Sequence, residues 1–241
     1  MSETRRYDVI VVGGGNAALC AALSACEQGA TVALLERAPE EERGGNSAFT
    51  GGSMRFAYDS PEVIYGLVPD LSKDEIANTD FGTYTEERFF DDLYKITQYR
   101  TDPELSEVLI KNSQQAIRWM RKQGIRYVPL YGRHAPNING KFKFSNGSTL
   151  GVSGAGLGLV NTLYTRASRA HEITRAAAAQ IKAQLASRSH PRSSRTSWVV
   201  QHLGHSVPSS APEFPREVAH PAHVRAGRLA GVAIDVAKPS I

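Results

Sequence analysis

The sequence predicts an α/β fold built on a Rossmann-like strand, helix, strand unit, and three observations at its start carry that prediction. Tyr7 to Val12 is a short β-branched apolar run, three consecutive glycines follow at Gly13 to Gly15, and a second apolar run occupies Thr31 to Leu35. Runs of this length and composition suit strands buried on both faces of a parallel sheet. Between them, Asn16 to Gln28 is rich in Ala and Leu, which favour helix, and Gly29 is placed to stop it. A right-handed crossover makes the two strands parallel.

The glycines read G-x-G-x-x-A, with Gly13, Gly15 and Ala18 in the fixed positions. The first allows a tight turn, the second lets backbone approach a pyrophosphate, and a small third residue lets helix and strand pack closely. The pyrophosphate then faces a helix N-terminus, where N–H groups and the helix dipole favour negative charge. Glu36 closes the second strand, where a carboxylate can accept hydrogen bonds from ribose hydroxyls. That acidic residue argues against a 2′-phosphate but leaves NAD and FAD both open.

From Arg37 to Tyr58 the chain reads as a loop, with GGNSAFTGG inside it. Three helices are expected beyond. Thr85 to Tyr99 carries Phe89, Phe90, Leu93 and Ile96 at helical spacing. Thr101 to Gln123 opens TDPE, with Thr101 as N-cap, Pro103 in the first turn and Glu104 completing a capping box. Its apolar face is expected to be Leu105, Val108, Leu109, Ala116, Trp119 and Met120, and Gly124 ends it. Tyr127 to Ser148 reads as a loop or hairpin region, and the third helix, Leu157 to Ala170, follows GVSGAGLG.

Composition divides the chain. The net charge of +4 comes from Arg166 to Ile241, which carries nine Arg and two Lys against four acidic groups; the first 165 residues carry 17 basic and 20 acidic groups. Six of the seven histidines lie in the same basic stretch, beside SRSHPRSSRTS and SVPSSAPEFP, so residues 167–241 are expected to be a largely irregular tail. A basic tail without interleaved aromatics does not point to nucleic acid, and its histidines lack metal-ligand spacing. No apolar run reaches membrane-span or signal-peptide length. Cys20 and Cys26, on different faces of one helix, are expected as small buried side chains of a reduced, cytoplasmic chain.

Two stretches, DVIVVGGGNAALCAALSACEQGATVALLERAP and RGGNSAFTGGSMRFAYD, together with GAGLGLVNTLYTRA, resemble the FAD-dependent fumarate reductase and succinate dehydrogenase flavoproteins, most closely the tricarballylate dehydrogenase branch. The resemblance covers about Tyr7 to Arg166 and implies a partial FAD-binding α/β domain with a helical insertion over residues 1–166. It implies that Gly13, Gly15, Asn16 and Ala17 line the pyrophosphate turn and that Glu36 binds ribose. Arg37, Gly45, Asn46, Ser47, Thr50, Gly51 and Gly52 would form the FAD loop, with Ser47 and the glycines nearest the flavin; ordinary turn capping is the other reading of the Ser and Thr. Succinate dehydrogenases attach FAD through a histidine of this loop. Asn46 stands near that position here, which implies non-covalent FAD.

The chemistry implied is hydride transfer between flavin and a carbon–carbon bond of a di- or tricarboxylate. A membrane iron–sulfur protein would be the electron acceptor, placing the chain at the inner face of a membrane. Family members clamp substrate with Arg, His and Thr from a later part of a longer chain. Arg55, Arg133 and His134 are the candidates in this one, against the plainer reading of surface arginines and a loop histidine. A family member should return a further strand to the sheet after Arg166, whereas the basic tail begins there. Arg225 to Lys238 faintly resembles a closing GRLAG segment. A truncated or frame-disrupted, non-catalytic FAD-binding remnant is therefore the alternative, and an NAD-binding module a second. Precorrin-processing flavoproteins share the N-terminal pattern.

Overall fold

The computed structural model describes residues 4–177 and 233–235. In chain order the first elements are β1 (Thr4–Arg6), β2 (Val9–Val12), α1 (Asn16–Glu27), β3 (Val32–Glu36), a 3-10 helix (Gly45–Phe49), β4 (Ser53–Met54), α2 (Pro61–Leu67), α3 (Lys73–Ala77) and β5 (Thr79–Asp80). They are followed by α4 (Glu86–Ile96), α5 (Pro103–Lys122), β6 (Tyr127–Pro129), α6 (Tyr131–His134), β7 (Asn137–Ile138), β8 (Lys141–Lys143), β9 (Leu150–Val152), α7 (Ala155–Ser168), β10 (Ile173–Ala177) and β11 (Ala233–Asp235).

The expected unit forms. β2 and β3 pair in parallel, Val9 opposite Val32 and Val12 opposite Leu35, with α1 as the crossover. β3 is buried along Val32 to Leu35 and is the middle strand of three, in the order β10, β3, β2. β2 is less buried than its composition predicts: it stands at the edge among the described strands, and Val12 is 44% exposed.

β10 corrects the expected tail. Ile173 to Ala177 runs parallel to β3, Ile173 opposite Val32 and Ala177 opposite Glu36, so the chain after Arg166 does return a strand to the nucleotide-binding sheet. The physical reason is the open edge of β3, which offers a full row of backbone partners to a short segment of Ile, Thr, Arg and Ala led in by α7. The remainder of the tail reading, and most of Arg225 to Lys238, lies outside the described residues. Within that segment, β11 pairs antiparallel with β1.

Two small sheets flank this unit. β9 lies between β4 and β6, antiparallel to both, and is buried throughout. β7 and β8 form the hairpin expected within Tyr127 to Ser148, extended by β5. The loop expected over Arg37 to Tyr58 contains the 3-10 helix and β4. α7 packs against both α1 and the 3-10 helix. Its third and fourth turns bury Leu163, Tyr164 and Ala167 beside Leu19, Leu23 and Leu34 in one continuous core.

Helix boundaries hold to within a few residues. Thr85 caps α4 by accepting from Arg88 N–H at 3.3 Å, and the helix ends short of Tyr99 because Gln98 and Tyr99 turn to positive φ. At α5 the N-cap is Asp102, not Thr101: Asp102 Oδ1 accepts from Leu105 N–H at 3.0 Å, while the Thr101 hydroxyl meets Ser106 Oγ at 3.1 Å. A carboxylate one residue nearer the helix outcompetes the hydroxyl for the first-turn N–H groups.

The buried face of α5 matches the expected one only at Met120 and, half-buried, Trp119. Ser106, Ile110, Ser113, Ile117 and Met120 face the core, while Leu105, Val108 and Leu109 are 63%, 61% and 54% exposed. Each buried serine satisfies its hydroxyl locally, Ser106 on Asp102 O at 2.6 Å and Ser113 on Ile110 O at 2.7 Å, so burial leaves no orphaned group. Leu109→Gln is therefore expected to move the midpoint of denaturant unfolding by less than about 0.5 kcal/mol in stability. A loss of a typical core size, near 2 kcal/mol or more, would put Leu109 back on the packed face.

Candidate functional site

The site is built where β2 ends, α1 begins and α7 crosses. Gly13 takes φ +106°, a left-handed conformation that glycine adopts without a steric penalty, and its N–H donates to Leu35 O at 2.7 Å. Gly15 is the N-cap of α1 and has no side chain with which to cap it. The first N–H groups of a helix lack intrahelical partners. Here the N–H of Asn16 donates to Ser47 Oγ at 3.0 Å, so the loop after β3 caps the helix in place of a residue of its own. There is no acidic side chain in the first turn of α1 to compete for an anion.

This places Gly15, Asn16 and Ser47, separated by 31 residues of sequence, at one point. Glu36 joins them: its Oε1 accepts from Ala38 N–H at 2.8 Å, and a Cβ added to Gly14 would lie 2.5 Å from its Oε2. Ala17 stands exposed in the first turn, and Arg37 is exposed just beyond β3. Gly45 and Asn46 are exposed on the 3-10 helix. Thr50 behaves as a turn-capping residue. Its hydroxyl donates to Ser47 O at 3.2 Å and accepts from Gly52 N–H at 3.3 Å, which folds the loop back without aiming Thr50 at the glycine turn. Gly51 is exposed, whereas Gly52 is buried against the backbone of Ala155.

The structure adds residues that the motif did not mark. Gly156 packs its Cα on the carbonyls of Ser47 and Ala48, and its N–H donates to Thr50 O at 2.9 Å. α7 is thereby locked to the loop after β3. Tyr164, from the same helix, reaches Gly14, and the Arg43 guanidinium lies 4.1 Å over its ring. No sequence signal distinguished Gly156 from the other glycines of GVSGAGLG; its partner is a backbone more than 100 residues earlier. On α1, Cys20 Sγ donates to Asn16 Oδ1 at 3.5 Å, and burial pushes its thiol up to about 11. Cys26 is half-buried and donates to Glu172 at 3.3 Å.

The substrate candidates are not gathered at this site. Arg55 donates to Tyr84 Oη at 3.2 Å and stands 3.5 Å from Asp92 Oδ2, so it belongs to a half-buried network with α4. Tyr84 donates to Asp92 at 2.8 Å, and burial, together with that hydrogen bond, raises its phenol to about 12. His134 lies at the end of α6 with Nδ1 3.3 Å from Asn146 Nδ2, and Arg133 precedes it on the same turn. Among the described residues no cluster of His, Cys, Asp or Glu could hold a metal ion, and no helix is long and apolar enough to cross a membrane.

An adenine dinucleotide fits the groups present: a left-handed glycine at the turn, a glycine where the backbone must come close, a helix N-terminus free of acidic side chains, and a carboxylate at the end of the second strand. Comparison with known proteins agrees. The family described as FAD binding domain matches residues 8–207. A fumarate reductase (cytochrome) of Shewanella frigidimarina is 29% identical over 160 residues, which is 66% of this chain and 24% of that protein. An NADH:fumarate oxidoreductase of Klebsiella pneumoniae is 26% identical over 147 residues, 61% of this chain and 14% of that one. The chain thus spans about a quarter or less of the length of these relatives. Among solved structures, a 3-ketosteroid-delta4-(5alpha)-dehydrogenase from Rhodococcus jostii superposes with a TM-score of 0.50 at 18% identity, over 71% of this chain and 37% of that one. At that identity the likeness concerns the fold. With the family match extending over most of the sequence, the chain belongs to the FAD binding domain family, and its cofactor is FAD.

Proposed function

We propose that the chain is the FAD-binding part of a dehydrogenase or reductase acting on a carbon–carbon bond beside a carboxylate, with a tricarballylate-like di- or tricarboxylate as substrate. The observation that carries this reading is the Asn16 to Ser47 hydrogen bond, which brings the loop after β3 back onto the start of α1. In the flavoproteins that the sequence resembles, that loop runs along the flavin. Two of its relatives are by name enzymes of fumarate, an unsaturated dicarboxylate.

Bound FAD supplies a two-electron acceptor or donor for such a bond. The chain's own residues would hold it: the N–H groups at the start of α1 would meet the pyrophosphate, Glu36 would accept from the adenosine ribose, and Ser47 would fix the loop that the resemblance assigns to the flavin. The cofactor is held without a covalent bond, Asn46 standing near the position of the linking histidine of succinate dehydrogenases. A membrane iron–sulfur protein as electron acceptor, and a cytoplasmic location beside that membrane, belong to the same proposal and rest on the resemblance alone.

A second reading is favoured by Arg55. Its engagement with Tyr84 and Asp92 leaves it a structural residue, and the described residues then bind FAD without supplying a substrate clamp. The two readings separate on one preparation. The purified full chain is mixed with FAD, freed of excess, and its visible flavin absorbance followed after adding tricarballylate or succinate. Bleaching supports the dehydrogenase, and retained colour without bleaching supports a binding unit that needs groups from elsewhere. A colourless chain overturns both.

A further inference from the structure

α5 ends in a cluster of cations that the glycine turn does not use. A cavity of about 740 Å³ is lined by Arg118, Arg121 and Lys122 from the end of α5, by Arg126 from the chain just beyond, and by Trp119 and, on α2, Gly66. Two cations in a last helical turn are ordinary, since they answer the negative end of the helix dipole. Four around one concavity exceed that need. Arg126 is answered by Asp70 at 2.5 Å, whereas Arg118, Arg121 and Lys122 form no ion pair among the described residues. The Asp70 carboxyl titrates below its ordinary range, chiefly through the Arg126 hydrogen bond, with the charge of Arg121 adding to it. Glu27 is taken up within the fold: it accepts from the Trp119 indole at 2.7 Å and from Gln123 Nε2 at 2.5 Å, which holds the indole in place. Arg118 leans across to α2, where a Cβ added to Gly66 would stand 4.0 Å from its Nη1.

We propose that this cavity is a second nucleotide site, built on none of the residues of the glycine turn, and that it takes a nucleoside triphosphate with its phosphates on Arg118, Arg121 and Lys122. Guanidinium groups match phosphate oxygens with paired, charge-assisted hydrogen bonds. The volume suits a ligand of drug size, for which cavities run from about 300 to 1,000 Å³, and is too large for a lone inorganic anion or a small polycarboxylate. A fixed indole in the wall suits a flat base. The rest of this chain is a poor occupant on charge, since residues 178–232 carry seven Lys and Arg against two Glu.

The test titrates the FAD-saturated full chain in a calorimeter with ATP, inorganic tripolyphosphate and tricarballylate. ATP is expected to bind about tenfold more tightly than either of the others, the size of one base stacked on an aromatic ring. Arg118→Gln and Arg121→Gln are each expected to weaken ATP about tenfold, as one charged hydrogen bond is lost. Arg100→Gln removes an equal charge from an exposed arginine outside the cavity and is expected to change the affinity by less than about twofold. Gly66→Leu keeps every charge, places a better helix former in α2 and fills the cavity from its wall. It is expected to melt no lower than wild type and to weaken ATP at least about tenfold. A wild type that takes up no ATP overturns the proposal, as does tripolyphosphate or tricarballylate binding as tightly as ATP. Full affinity in Gly66→Leu, or an equal loss in Arg100→Gln and Arg121→Gln, reduces the attraction to that of a positive surface and also overturns it. ATP lodged at the glycine turn instead would compete with FAD and ignore all four substitutions, a result that overturns the second site and leaves the first.

Discussion

Gly156→Ala is expected to release FAD and to lower stability by about 2 kcal/mol, although alanine is the better helix former. Gly156 lies in the first turn of α7, where the exchange alone would gain up to about 1 kcal/mol. Against that, the new Cβ would collide with Ser47 O and sit 2.7 Å from Ala48 O and 2.9 Å from Ala48 C. These are backbone atoms of the 3-10 helix and cannot rotate away. Relief requires α7 and the loop to part, at the roughly 3 kcal/mol upper end of an overpacked contact, so the clash wins. Parting them also moves Ser47 off Asn16 N–H and breaks the turn at the site. Fluorescence titration should show FAD affinity at least about tenfold weaker, the equivalent of one lost 1.4 kcal/mol interaction. Gly132→Ala serves as the control, since a Cβ there meets nothing within 4 Å. Equal flavin affinity in the two variants would remove Gly156 from the site.

What could be read in the sequence follows from how local each signal is. β2, the glycine turn, α1 and β3 are set by short-range patterns, and they appear within a few residues of their expected bounds because each residue's neighbours in sequence are also its neighbours in space. Glu36 was legible for the same reason: its place at the end of β3 follows from strand length. The α5 face was not. Leu105, Val108 and Leu109 make a regular apolar stripe, yet the helix turns Ser106 and Ser113 inward. A serine can bond a carbonyl of its own helix, and Ser113 accepts in addition from Ala57 N–H at 3.0 Å. That partner, 56 residues away, is invisible to any pattern along the helix. β10 was missed because Ile173 to Ala177 is a weak strand by composition, and the open edge of β3 makes it one. Gly156 and Tyr164 share this property, one placed against the backbone of Ser47 and Ala48 and the other against Gly14, neighbours that only the tertiary fold brings near.

Gly147→Ala is expected to cost about 3 kcal/mol, through contacts that do not involve the glycine turn. Two costs add at this position. Gly147 takes φ +70°, where a residue with a Cβ pays roughly 1–2 kcal/mol. The Cβ would also press on the Tyr84 ring, colliding with one edge carbon and lying 2.5 and 2.6 Å from two more ring atoms. Tyr84 has nowhere to go. It is fully buried, its ring packs on Phe89 with centroids 5.5 Å apart, and its hydroxyl is tied to Asp92 and Arg55. An overpacked contact of this kind adds about 1–3 kcal/mol, and for a chain of this length the sum corresponds to a fall in melting temperature of roughly 10 °C. Pairing the variant with Tyr84→Ala identifies the cause. Tyr84→Ala alone empties a large buried site, at about 3–5 kcal/mol, but in that background the Cβ of residue 147 has room and only the backbone cost remains. The double variant should therefore be more stable than the sum of the singles by at least about 1 kcal/mol, a coupling of the size that residues in contact show. Strict additivity would assign the whole loss to the backbone of residue 147, and with it the Tyr84, Asp92 and Arg55 network would lose its claim to hold the ring in place.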